Sequence, residues 1–230
     1  MGRDPYAVGR TVPLAYEFAR LPVHAFLRYW CDIEIVGRDR IPKHAPSVLT
    51  ANHLSFIDPV LVSLTAHDNV RYLAVDELMG RTEFFDRLVG YWGAIPTPRG
   101  RPVIRAIRTA LHQLEFGPVG VFPEARRVSA WGEESPQRGA GWLSILTGAP
   151  LIPVAIYGTQ NILSKSQPKF RPAPVHIWVE EPIWPRDHMD AVDPVASMME
   201  SWHAALDARL SPWFEGVELG LAHAEGHTPD

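Results

Sequence analysis

His53 and Asp58 are the pair in this chain best suited to moving a proton. They stand in the run Ser47-Val48-Leu49-Thr50-Ala51-Asn52-His53-Leu54-Ser55-Phe56-Ile57-Asp58-Pro59. An apolar, strand-like stretch (Val48, Leu49, Ala51) delivers the histidine at its end. A carboxylate follows, immediately before a proline that suits the first position of a helix. Neutral imidazole accepts a proton near pH 7, and a carboxylate on its other nitrogen fixes the tautomer and stabilises the imidazolium. A substrate that brings its own hydroxyl needs no serine or cysteine nucleophile from the protein.

The spacing by itself is weak, because the chain has ten histidines and a second pair with the same separation, His188 and Asp193. That copy lies in the polar stretch Trp184-Pro185-Arg186-Asp187-His188-Met189-Asp190 with no strand feeding it. It reads as a solvated loop whose Asp193 caps the next helix. Asp58 has a capping reading too, as the N-cap ahead of Pro59. What separates the first pair is its context of strand, catalytic pair and helix, the place where functional groups converge in α/β folds.

The elements that must hold this pair alternate along the chain. Strand-like runs occur at 33–36, 48–51, 70–75, 94–96, 119–122, 151–157 and 175–179. Helical patterns lie between them at about 59–66, 81–90, 101–115 and 139–147, with a last one near 194–210. The pattern predicts an α/β fold: a single domain with a mixed, largely parallel sheet flanked by helices. The expected organisation is an N-terminal amphipathic helical segment at 1–31, the main domain at 32–215 and a loose tail at 216–230. At 230 residues and 46% hydrophobic content, the chain can bury a full core. A net charge of −4 argues against non-specific nucleic-acid binding. The single cysteine, Cys31, excludes an internal disulfide and reads as a core residue. No run approaches the length of a transmembrane helix, and no cleavable signal is evident. Residues 11–30 are nonetheless aromatic and helix-like. Glu17, Arg20, His24 and Arg28 share one face, and Pro22 is expected to break or kink the segment into two short helices. Such a helix suits either a membrane surface or the domain's own core, and the membrane reading is the one adopted.

Three more clusters bear on chemistry. In Gly93-Ala94-Ile95-Pro96-Thr97-Pro98-Arg99-Gly100-Arg101, followed by Arg105 and Arg108, the arginines suit phosphate or carboxylate recognition. Arg101, Arg105 and Arg108 have the spacing of a solvated helix face, which leaves Arg99 as the better ligand contact. In Val119-Gly120-Val121-Phe122-Pro123-Glu124-Ala125-Arg126-Arg127 a strand ends in a carboxylate beside two guanidiniums. That is either a surface ion pair or, better, a polar-substrate subsite. Arg138-Gly139-Ala140-Gly141-Trp142, running on to Pro150-Leu151-Ile152-Pro153-Val154, reads as a helix, a turn and a buried strand.

In this order the four blocks resemble the lysophosphatidic acid/glycerolipid acyltransferase family, across roughly residues 33–182. The Asn-His-x4-Asp block matches Asn52, His53 and Asp58. The second block matches Gly93, Ile95 and Arg99. The Phe-Pro-Glu-Gly-Thr-Arg-Ser block matches Phe122, Pro123, Glu124 and Arg127, and the last matches Pro150, Pro153 and Val154 behind the basic-Gly pair Arg138-Gly139. Where the family has Gly-Thr, this chain has Ala125-Arg126, and Val128 replaces the usual Ser. The lost glycine is expected to change the backbone there, and the added arginine to change the charge of the acceptor pocket.

The resemblance implies acyl transfer from a thioester, acyl-CoA or acyl-acyl carrier protein, to the free hydroxyl of a lyso-phospholipid, with lysophosphatidic acid giving phosphatidic acid. His53 would be the base and Asp58 its orienter. Arg99, Glu124, Arg126, Arg127 and Arg138 would bind the glycerol-phosphate part, Glu124 by receiving a hydroxyl or ordering an arginine. No metal and no bound cofactor are expected. The expected partners are the acceptor, the donor and a membrane surface, with no nucleic acid, and the expected location is peripheral (monotopic) on the cytoplasmic face of the cell membrane. Two rivals remain: acylation of another lyso-lipid or glycolipid head group, and a non-catalytic membrane-surface or acyl-carrier-binding module. A hydrolase has little support, because no Gly-x-Ser-x-Gly elbow is present.

Overall fold

A computed structural model gives the fold, and it describes residues 14–75, 94–97 and 104–216. The expected helix at 81–90, the first residues of the chain and most of the expected tail lie outside that set. Helix α1 (Leu14–Trp30) comes first, then strands β1 (Ile33–Val36) and β2 (Val48–Ala51), helix α2 (Asp58–Thr65), and strands β3 (Arg71–Val75) and β4 (Ala94–Thr97). They are followed by α3 (Ile104–Leu114), β5 (Val119–Val121), α4 (Gly139–Thr147), β6 (Leu151–Tyr157), β7 (Val175–Val179) and α5 (Pro194–Phe214).

Among the described residues the strands form one seven-stranded sheet in the order β1-β7-β6-β2-β5-β3-β4. Every neighbouring pair is parallel except β6 with β7, which run antiparallel. β2 lies at the centre, between β6 and β5. The alternation of side chains along each strand sorts the core into two layers. Leu49, Ala51, Ile152, Val154, Ile156, Val175, Ile177 and Val179 face α1 and α2 in one apolar cluster. Val48, Ile95, Val119, Val121, Leu151, Ala155 and Trp178 face α3, α4 and α5 in the other. The central strands are therefore apolar on both faces, as a covered parallel sheet requires.

Helix α1 runs through Pro22 as one helix, contrary to the expected break. Proline removes one intrahelical hydrogen bond. Just beyond the proline, Val23, Leu27 and Cys31 pack against the first cluster. Cys31 is a buried free thiol, and that burial raises its pKa.

Two tertiary contacts define the exit of β2, where the histidine sits. The Asn52 amide donates to the Ile156 carbonyl at 2.9 Å and accepts from the Ile156 N–H at 2.8 Å. The side chain thereby extends the β2–β6 pairing after β2 itself has ended. On the other side Gly120 lies flush against the Tyr72 ring, and a Cβ at that position would overlap the ring atoms. Tyr72 in turn stacks on Phe122, with centroids 6.0 Å apart. Gly120→Ala should therefore destabilise the fold by about 1–3 kcal/mol through overpacking. A thermal melt that places the variant at the wild-type Tm would show that the ring has room to move aside.

Candidate active site

The site is built where β2 ends. His53 Nδ1 lies 2.9 Å from Asp58 Oδ2, and Asp58 is fully buried. The same Oδ2 accepts the backbone N–H groups of Leu54 at 2.7 Å and Ser55 at 2.6 Å. Asp58 is the first residue of α2 rather than its N-cap, and its carboxylate turns back onto the 53–55 loop. Its work is to fold that loop around one oxygen. A carboxylate can only accept, so Nδ1 carries the hydrogen and Nε2 keeps its lone pair. Among the described residues Nε2 has no hydrogen-bond partner, and the imidazole is 13% exposed.

The strand-end carboxylate at Glu124 reaches the same histidine. Its Oε2 accepts the His53 backbone N–H at 2.6 Å. The His53 carbonyl accepts the N–H of Val128 at 2.8 Å. The loop after β5 thus grips His53 by both backbone groups, while Phe122 from the same loop stacks on the imidazole at 4.2 Å between centroids. Beyond His53, Ser55 Oγ donates to the Leu163 carbonyl, which also accepts the Phe56 N–H at 3.1 Å.

Glu124 is 3% exposed, and its Oε1 has no partner among the described residues. Burial pushes its carboxyl up to about 8; the His53 N–H opposes that rise, and Asp58, Glu133 and Glu134 add to it. At neutral pH the group is therefore held protonated. The folded state then binds one more proton than the unfolded state between the ordinary carboxylate value and about 8. Stability present at low pH is lost as pH rises through that window, by about 1.4 kcal/mol per pH unit where a full proton separates the states. Glu124→Gln keeps the acceptor for His53 and removes the proton. Its Tm should fall less than the wild type's between pH 5 and pH 8.5, and parallel curves for the two proteins would remove Glu124 as the source of the slope.

The structure brings together His53, Asp58 and Glu124, and sets Arg127 nearby with its guanidinium 3.3 Å from the centroid of Phe56 in the histidine loop. Among the described residues Glu124 orders the histidine's backbone and meets no arginine. Arg126 is half exposed and ion-paired with Glu134. Arg138 holds both oxygens of Asp193 at 2.6 and 2.7 Å, 55 residues along the chain. Neither arginine contacts His53, Asp58 or Glu124 among the described residues. Arg99 lies outside the described residues, and Arg108 is exposed on α3. The other histidine pair is not one: His188 bonds Ser197 at 2.8 Å, and Asp193 caps α5 through the Ala196 N–H. Among the described residues no group of histidine, cysteine and carboxylate side chains has the makings of a metal site.

Phe122, Asn52 and Val128 are the site residues that sequence reasoning left without a role. Phe122 and Asn52 had signals, an aromatic after a buried strand and an amide before the histidine. Val128 acts through its backbone and had none.

Ala125, where the family has glycine, sits in a tight turn. Ala125 takes a left-handed backbone, φ 57°, and donates its N–H to the Phe122 carbonyl at 3.0 Å. This is the conformation that glycine adopts without a Cβ penalty, so the alanine is strained there by about 1–2 kcal/mol. Part of that is offset because alanine loses less backbone entropy on folding. Ala125→Gly should raise stability by about 0.5–1 kcal/mol with the turn unchanged. A loss of stability in chemical denaturation would contradict the strain.

Comparison with known proteins identifies the family. Residues 32–157 match the model of the acyltransferase family, and the chain belongs to that family, the one its four blocks resemble. It is similar to the 1-acyl-sn-glycerol-3-phosphate acyltransferase of Borreliella burgdorferi, 26% identical over 137 residues that make up 58% of this chain and 54% of the relative. The chain thus spans about half the length of that curated relative. Its fold resembles the crystal structure of the 1-acyl-sn-glycerophosphate (LPA) acyltransferase PlsC from Thermotoga maritima, with a TM-score of 0.66 and 23% identity. That likeness covers 84% of this chain and 80% of the other.

Proposed function

We propose that this acyltransferase moves a fatty acyl group from a thioester, acyl-CoA or acyl-acyl carrier protein, to the free hydroxyl of lysophosphatidic acid, forming phosphatidic acid. The observation that carries the reading is the buried Asp58 on His53 Nδ1, which leaves Nε2 as a base with no competing partner among the described residues. Nε2 takes the hydroxyl proton as the oxygen attacks the thioester carbonyl. The tetrahedral intermediate collapses with rupture of the C–S bond, and His53 returns its proton to the departing thiolate. Asp58 stabilises the imidazolium between the two transfers. Glu124 holds the main chain of His53 in place through the cycle.

The acceptor phosphate is assigned to Arg127 and Arg99, whose guanidiniums can bind it bidentately. Arg127 lies beside the catalytic loop. Arg126 and Arg138 have carboxylate partners at the surface, so their part in binding the acceptor requires those pairs to open. The pairing of Arg126 with Glu134 also favours phosphate over an altered head group, because the added charge is answered within its own loop. A lipid acceptor supports a peripheral, monotopic position on the cytoplasmic membrane face as part of this reading. No described helix is long and apolar enough to cross a membrane.

A panel of lyso-acceptors assayed with acyl-CoA and acyl-carrier-protein donors, with products identified by mass, tests the reading. His53→Ala should lose on the order of 10²–10⁴ in rate with the fold intact. His188→Ala should be nearly neutral. Asp58→Asn should keep its melting temperature, because an amide oxygen can still accept the loop N–H groups, yet lose turnover by orders of magnitude. Equal losses in the two histidine variants, or a fully active Asp58→Asn, would sink the assignment. A wild type that acylates only phosphate-free acceptors would replace lysophosphatidic acid with another head group.

A further inference from the structure

The segment joining β6 to β7 is basic. Between Gly158 and Val179 there is no acidic residue, while Lys165, Lys169 and Arg171 are all present in a protein of net charge −4. All three are exposed, and among the described residues none has a carboxylate partner. The segment is a compact loop, closed by the Arg171 N–H on the Ile162 carbonyl at 3.0 Å and by the Ser164 N–H on the Gln167 carbonyl at 2.9 Å. Phe170 projects between two of the cations, exposed, and its ring meets that of Phe26 on α1 at 5.6 Å.

Phe26 begins an aromatic stripe. Trp30, one turn on, lies 6.0 Å from it, and Tyr29, which is 84% exposed, lies 5.7 Å from Trp30. Helix α1 has already spent its other face, Val23, Leu27 and Cys31, on the domain core. The stripe is thus a second apolar face, and Phe170 with its flanking cations continues it from a part of the chain some 140 residues away. Large rings rimmed by lysine and arginine suit the interfacial zone of a bilayer, where rings enter the acyl boundary and cations meet anionic head groups. The loop also touches the catalytic machinery, since Leu163 at its base accepts hydrogen bonds from Ser55 and Phe56.

We infer that the β6–β7 loop is a second membrane contact, in which Lys165, Lys169, Phe170 and Arg171 join Phe26, Tyr29 and Trp30 in one surface for anionic lipid. The inference rests on the reading of the acceptor as a membrane lipid, and it gives that lipid an entry beside His53. The cations supply selectivity for anionic vesicles and sensitivity to salt, and the rings supply the part that salt does not screen.

The test uses the full chain with phosphatidylcholine vesicles and with vesicles containing one fifth phosphatidylglycerol, at low and at 0.5 M salt, and needs no substrate. Wild type should bind the anionic vesicles preferentially. K165E/K169E/R171E, and the milder K165Q/K169Q/R171Q, should lose about a hundredfold in anionic-vesicle partition with an unchanged melting temperature. Phe170→Ser should weaken the binding that survives in high salt. Transfer to a detergent-dispersed acceptor should stay at the wild-type rate in all of these variants, so a failure of the lysophosphatidic acid reading shows separately, as a wild type inactive in that assay. The inference is overturned if wild type ignores anionic vesicles or if the charge variants partition as wild type does. It is also overturned if those variants instead lose use of an acyl-carrier-protein donor in the absence of vesicles, which would make the patch a carrier-docking site.

Discussion

The chemistry of this protein depends on how firmly one histidine is held by its main chain. His53 comes immediately after Asn52, at the end of a four-residue strand, where the sheet no longer fixes the backbone. Three groups replace the lost ladder. Asn52 repeats the β2–β6 pairing with its amide. Glu124 accepts the His53 N–H, and Val128 donates to the His53 carbonyl. Asp58 then gathers the next two amides and the imidazole on a single oxygen. With the backbone fixed at both its polar groups and the ring fixed at one nitrogen and one face, the other nitrogen is left without a hydrogen bond among the described residues.

That arrangement concentrates acidity in a small buried space. Two carboxyl groups, Asp58 and Glu124, approach one histidine with almost no solvent. The protein resolves the conflict by asymmetry. Asp58 receives three N–H donors on one oxygen, whereas Glu124 receives one and is held neutral by burial. Two carboxylates of like environment would repel each other and compete for the imidazole; two of unlike environment divide the work into charge stabilisation and positioning.

The sheet supplies the geometry for this division. β2 lies between β5 and β6, so the loop after β5 and the backbone of β6 both reach its end. The stack of Tyr72, Phe122 and His53 starts at a glycine because only a bare backbone lets the tyrosine ring lie flat on β5. On the α1 side the first apolar cluster is closed by a helix that still has aromatic rings to spare. The histidine loop, the β6–β7 loop and α1 are linked by contacts, Ser55 and Phe56 on Leu163 and Phe26 on Phe170.

The residues of the sequence determined by themselves the α/β alternation, most of the strands and the contact between His53 and Asp58. Each of these is local: apolar runs bounded by turns, and a histidine and carboxylate five residues apart that one loop can close. The capping role of Asp193 was legible for the same reason, at the end of a polar stretch without a strand. What only the tertiary structure decided are contacts between distant segments. Glu124 lies 71 residues from His53, and its bond to that main chain exists because β5 is placed beside β2. The pairing of Arg138 with Asp193, 55 residues on, is likewise settled by a neighbour that no local pattern names. Periodicity records which face of an element is buried, and the order of the strands, which it does not record, decides what that face meets.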